Sequence, residues 1–172
     1  MDTMKALYTR RSVRKYQSKP VPVELVEEAV KAAMFAPSAR NQQSWEFIII
    51  DKPELMDEIP TFSPHAGMAK GAPVGVLICH NEDYDTAVGF FPQDLGAATQ
   101  NLLLALHAQG LGAVWTGVYP REERMAGFVK MCSLPENVIP YSFTIIGWPE
   151  TEPAATDRFK KERVHYNKWE GK

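Results

Sequence analysis

Apolar and polar positions follow two rhythms along the chain. From Pro22 to Ser38, in PVELVEEAVKAAMFAPS, apolar Val26, Ala29, Val30, Ala33 and Met34 recur at helical spacing. This predicts an amphipathic helix that stops before Pro37. WEFIIID from Trp45 and PVGVLICH from Pro73 are nearly unbroken apolar runs, as expected of strands covered on both faces. Between them the pattern is loop-rich, with a short helical turn expected near 53–59. FPQDLGAATQNLLLALHAQGLGA, from Phe91, holds good helix formers throughout, with Gly110 as its C-terminal cap. It is apolar almost all round from Leu102 to Leu106, and such a helix is buried, in its own core or against a partner. AVWTGV from Ala113 reads as a short strand or extended turn. PREERMAGFVKMCSL predicts a helix with Pro120 in its first turn and Glu122 and Glu123 near its positive end. YSFTIIGWPE from Tyr141 is a final strand, and after Pro153 the chain becomes polar and basic. Strands alternating with helices make the fold α/β or α+β, and strand order does not follow from the pattern.

Composition narrows the class. A chain of 172 residues is expected to form one domain over its whole length and to bury a real core. With 45% apolar and 23% charged residues it has the balance of a soluble globular protein rather than a disordered one. A formal net charge of −2 gives no global push toward nucleic acid or membrane. The start MDTMKALYTRRS carries no apolar run of signal-peptide length, and no stretch is long enough to cross a bilayer, so a cytoplasmic protein is expected. Cys79 and Cys132 lack CxxC spacing and are expected to be reduced structural thiols. His65, His80, His107 and His165 are scattered without HxH or HExxH spacing, so no metal site is expected.

Three stretches carry candidate chemistry. In and just before YTRRSVRKYQSKP, Lys5, Arg10, Arg11, Arg14, Lys15 and Lys19 fall in a region with no acidic residue between Asp2 and Glu24. Guanidinium groups hold phosphate oxygens in bidentate pairs, and the Ser12 hydroxyl adds a neutral bond. Taken alone, the run suits a solvated basic face or a set of surface salt bridges somewhat better. In APSARNQQSW, Ser38, Asn41, Gln42 and Gln43 gather neutral donors and acceptors before an apolar strand. They suit a flat, polar-rimmed ring, or a turn that satisfies its own backbone. In GLGAVWTGVYP, glycines permit close backbone approach and Trp115, Thr116 and Gly117 offer a plane and small polar contacts. That stretch also fits a helix cap feeding a core strand, and it lacks the full dinucleotide and Walker fingerprints.

Together, RRSVRKY, APSARNQQSW, DLGAATQNLLLALHAQGLGAVW and IIGWP, in this order and spacing, closely resemble the nitroreductase-like FMN-dependent flavoprotein family in its short form. The short form often ends in a tail like DRFKKERVHYNKW, and the resemblance covers nearly the whole chain. It implies an α+β fold, a central mixed or antiparallel sheet flanked by helices, built as an intertwined homodimer with FMN at the interface. It implies phosphate contacts from Arg10, Arg11 and Ser12, with Arg158 in the tail a further candidate, and a cation near flavin N1 and O2 from Arg14. It also implies that Pro37, Ser38 and Asn41 reach the ring or ribityl chain from the second subunit, while Trp115, Thr116 and Gly117 pass its other side. The extension over 153–172, with Phe159, Tyr166 and Trp169, is expected to pack on the partner subunit.

The implied activity is oxidation of NAD(P)H with two-electron reduction of a small organic acceptor, a nitroaromatic, quinone or similar. Hydride chemistry at the flavin needs no protein nucleophile or acid–base pair, in keeping with a sequence in which no triad or paired carboxylates stand out. Two alternatives stay open: a flavin-binding or flavin-storage protein without turnover, and a reductive dehalogenase-like member of the same fold. A nucleic-acid binder using the basic arm is disfavoured, because only Tyr8 and Tyr16 interleave with its cations. The segment over 57–71 is expected to shape the pocket.

Overall fold

The computed structural model describes residues 1–151, 154 and 156–169. Within the expected C-terminal extension, Pro153, Ala155 and 170–172 lie outside the described residues. In chain order come α1 (Thr3–Thr9), α2 (Val23–Ala33), β1 (Trp45–Ile50), α3 (Pro53–Phe62), β2 (Val74–Asn81), α4 (Phe91–Ala108), β3 (Gly112–Gly117), α5 (Glu122–Cys132) and β4 (Val138–Gly147). The strands form one sheet of order β1-β2-β4-β3, antiparallel at every pairing. The fold is therefore α+β, with an antiparallel sheet flanked by helices.

The sheet is covered on both faces, as its apolar runs require. Because side chains alternate along a strand, Val74, Val76 and Ile78 point to one layer and Leu77 and Cys79 to the other. The first layer packs Val26, Ala29, Val30 and Ala33 of α2 with Leu95, Ala98, Leu102 and Leu106 of α4. The second packs Met56 and Ile59 of α3 with Phe128 of α5 and Phe143 and Ile145 of β4. Both cysteines are free, and burial pushes their thiols above the ordinary range.

Several elements depart from the sequence pattern. The segment Thr3–Thr9, read only as part of a basic run, is a helix whose N-cap Asp2 accepts a bond from the Lys5 N–H. The turn expected near 53–59 continues through Pro60 to Phe62, held by buried Met56 and Ile59. Pro120 lies outside α5, because residues 118–121 form a turn closed by the Arg121 N–H and the Val118 carbonyl. The uncertain AVWTGV stretch is a true strand, β3, paired along its length with β4. β4 starts at Val138, ahead of the expected Tyr141, and takes in Pro140 where β3 no longer pairs, so no ladder to β3 needs its missing N–H. Among the described residues no helix is long and apolar enough to cross a membrane.

Candidate functional site

The basic arm lies against the end of the sheet because two paired glycines leave room for it. Gly112 of β3 and Gly147 of β4 face each other across the ladder. A Cβ on Gly112 would come within 2.8 Å of Val13, and one on Gly147 within 2.8 Å of the Tyr16 ring. Val13 and Tyr16 are the arm's two anchors. Ser12 bridges Ala113, the Val13 N–H donates to the Ala113 carbonyl at 2.9 Å, and the Tyr16 hydroxyl donates to the carbonyls of Val13 and Ile145. Residues between and before these anchors are thereby aimed outward.

Arg10 and Arg11 are the cations so presented, and Arg158 of the tail adds its charge to theirs. Burial, and then the positive charges of Arg158 and Arg11, hold the Arg10 guanidinium below its ordinary value. Among the described residues none of these arginines has a carboxylate within 4.0 Å; the ion pairs are Lys31–Glu28 and His80–Asp85. Like charges gathered without a counter-charge fit a phosphate dianion, which supplies both the charge and the acceptor oxygens. Arg11 serves the scaffold as well: its Nη1 donates to the Tyr8 and Arg10 carbonyls and its Nη2 to the Thr156 carbonyl, tying the tail to the arm. Its Nε is buried and has no hydrogen-bond partner. A cleft of about 320 Å³ opens here, lined by Lys5, Thr9, Arg10, Arg11, Val13 and His107 among others. Arg14 lies outside it, in a neighbouring cleft of about 380 Å³ with Lys15, Met68, Lys70 and Glu150. That second cleft is where the 57–71 segment meets the arm.

β3 extends from the cation cluster to the aromatic stretch, Ala113 to Gly117 covering about 13 Å. Trp115 is 37% exposed and tilted against Tyr141, ring centroids 6.2 Å apart. Thr116 donates its hydroxyl to the Phe143 carbonyl, and the Gly117 carbonyl accepts from Arg124. Ser12, Trp115, Thr116 and Gly117 thus share one edge of the sheet with Arg10.

Pro37, Ser38 and Asn41 do not join them. The 37–43 loop is bound to the beginning of α4, where Asp94 accepts a bond from the Ala39 N–H at 3.0 Å. The arm is bound to the other end of α4, where the Thr9 hydroxyl meets His107 Nε2 at 2.8 Å. Asp94 and His107 are separated by about 20 Å of helix, so one chain holds the two sets of expected contacts at opposite poles. Asp94 escaped the sequence reading, and Gln42 was grouped there with the loop's donors and acceptors rather than with Asp94; a lone carboxylate in the first turn of an otherwise apolar helix was the available signal.

The chain belongs to the nitroreductase family: the Nitroreductase family model matches residues 7–67 and 63–148. A relative from Methanothermobacter thermautotrophicus, provisionally named an NADH dehydrogenase/NAD(P)H nitroreductase, is 44% identical over 98% of this chain and 88% of its own. A solved structure from Clostridium acetobutylicum, provisionally named an NADH oxidase, superposes with a TM-score of 0.92 at 38% identity, covering 95% of this chain and 99% of that one. Another, provisionally named a nitroreductase, from Desulfovibrio desulfuricans, was solved in complex with FMN. It has a TM-score of 0.83 at 27% identity and covers 98% of this chain and 99% of that one.

Proposed function

We infer that this protein is an FMN-dependent oxidoreductase that draws on NAD(P)H to reduce a small organic acceptor such as a nitroaromatic or quinone. The observation that carries the reading is the Arg10, Arg11 and Arg158 cluster, without counter-charge among the described residues, at the head of the open β3 edge. Family membership supports it, as do the NAD(P)H in one relative's name and the FMN bound by another. When bound, FMN would supply the redox chemistry, two-electron transfer from NAD(P)H to the acceptor.

The chain's own groups hold and orient the cofactor. Arg10, Arg11, Ser12 and Arg158 take the phosphate. Arg14 stands toward N1 and O2, where a fixed positive charge stabilises negative charge that develops on reduction. Trp115, Thr116 and Gly117 flank the ring from one side. Pro37, Ser38 and Asn41 come from a second copy, since the same chain's loop lies at the far pole of α4. The working unit is then a homodimer in which all 172 residues form one domain and the 153–172 extension packs on the partner. A cytoplasmic setting, where NAD(P)H is available, suits the activity.

The test is the visible spectrum of the purified protein before and after anaerobic NADH or NADPH. Flavin bands that bleach with either donor are the expected result. Bands that persist with both donors reduce the protein to a flavin binder, and a colourless protein that takes up no added FMN overturns the reading.

A further inference from the structure

We propose that Asp94 and Gln42 form a positioning clamp that fixes the 37–43 loop in the shape by which Ser38 and Asn41 reach the flavin of a second copy; this rests on the flavin reading above. The loop needs such a clamp. Arg40, Asn41 and Gln43 have φ of 52°, 55° and 48°, the left-handed region that residues with a Cβ avoid. So many strained positions in one short loop persist only where surrounding bonds over-determine them, and such strain gathers at ligand sites.

The bonds that do this converge on two buried side chains, Asp94 at 6% exposure and Gln42 at 9%. Asp94 uses one carboxylate oxygen to accept the Ala39 N–H at 3.0 Å and the other to accept Gln42 Nε2 at 2.7 Å. Gln42 uses its carbonyl end on the N–H groups of Thr86 and Ala87, at 3.1 and 2.9 Å. Arg40 adds a bond to the Thr86 carbonyl at 2.9 Å. The loop, the first turn of α4 and the 86–87 segment are thereby one unit. Asp94 sits where the helix dipole favours negative charge, so the carboxylate is stabilised by the element it anchors to.

The consequence falls on the two outward residues. Ser38 Oγ accepts the Gln43 N–H at 3.1 Å and Asn41 Oδ1 accepts Gln43 Nε2 at 3.0 Å. One acceptor position of each is therefore taken by the loop itself. The Ser38 hydroxyl proton and the Asn41 Nδ2 hydrogens are not used by these bonds, and they form a donor set matched to the carbonyl and hydroxyl oxygens of a flavin. Neither Asp94 nor Gln42 touches the ligand; they decide which way these donors face.

The direction of the Gln42–Asp94 bond gives a clean test. In D94N two donors oppose each other, and in Q42E two carboxylates do. In the double variant D94N/Q42E the amide of residue 94 donates to the carboxylate of residue 42, whose other oxygen still accepts Thr86 and Ala87, so every bond returns with one reversed. FMN affinity is read by fluorescence quenching on titration of apo-protein, together with the visible circular dichroism of bound FMN. Each single variant should bind FMN roughly tenfold or more weakly, with altered bands, and the double should return to within roughly threefold of wild type with the native bands. A merely structural role would lower the melting midpoint and leave the bands of bound FMN unmoved, which would overturn the proposal. So would a single variant that folds and binds as wild type, or a double that is no better than the singles or fails to fold. Should a single variant not fold, the double alone decides on the same terms. Wild-type protein that takes up no FMN overturns the flavin reading and the clamp's purpose with it, whereas intact binding in Q42E overturns the clamp alone.

Discussion

His80 illustrates how one buried side chain ties the fold to pH. It is 1% exposed, with Ser44 Oγ 3.0 Å from Nδ1, Asp85 Oδ2 3.5 Å from Nε2, and the Phe91 ring stacked 4.2 Å away. Burial lowers its pKa from 6.5, while Asp85 and Glu82 act in the opposite sense and are outweighed. The neutral imidazole is the folded form, and Asp85 is a hydrogen-bond partner more than an ionic one. A histidine depressed in the fold takes up its proton more readily when unfolded. Its contribution is therefore fully present above the unfolded value of 6.5 and is lost as pH falls below it toward the lower folded value. The urea midpoint of the wild type should fall between about pH 7.5 and about pH 5.5 by more than that of His80→Asn. Equal falls in the two proteins would remove His80 as the cause.

At the scale of elements, the arm, β3 and β4 act as one piece because Gly112 lets Val13 lie flat on the sheet. Gly112→Ala should cost about 1–3 kcal/mol by overpacking and also loosen FMN, since the Val13 anchor is branched at the clashing atom and the arm must lift. Gly127→Ala, whose added methyl meets the Phe62 ring between α5 and α3, serves as the control. It should destabilise comparably and leave FMN affinity unchanged, as judged by urea denaturation and flavin titration. Loss of FMN binding in both, or in neither, would break the link between the arm and the site. The same scale shows what was legible in the sequence. The buried face of α2 follows from its period and strands β1 and β2 from their unbroken apolar runs, because burial imposes both patterns directly. The antiparallel order β1-β2-β4-β3 does not, since pairing depends on contacts remote in sequence. Nor does α1, whose short run is masked by its basic residues, nor the passage of α3 through Pro60, where tertiary packing overrides a helix breaker. Of the candidate site, the residue types in the arm, the loop and the β3 stretch were legible. Their division between the poles of α4, and the bonds of Asp94, were not, because both exist only once the chain has folded.

At the scale of the molecule, α4 is less enclosed than its composition suggests. Leu104, Ala105 and Ala108 border an open groove with Met1, Ala6, Ala32 and Phe35, and Phe35 is 80% exposed. An apolar surface of this kind is expected to be covered by a partner, and the second copy of the homodimer proposed above would supply one. Phe35→Glu would place a charge in that contact at a cost of about 3 kcal/mol, a roughly hundredfold weaker dimer. Sedimentation should then report monomer at micromolar protein, and the flavin content should drop although residue 35 contacts no cofactor. Monomer with full flavin content would refute the shared site. The separation of arm and loop along α4 has a further consequence in genetic terms. Two alleles, one damaged in the arm and the other in the loop, should complement each other within a single cell, because mixed pairs rebuild one sound pocket from two unsound chains. An allele damaged at both poles does the reverse: it lowers the output of every healthy copy with which it pairs.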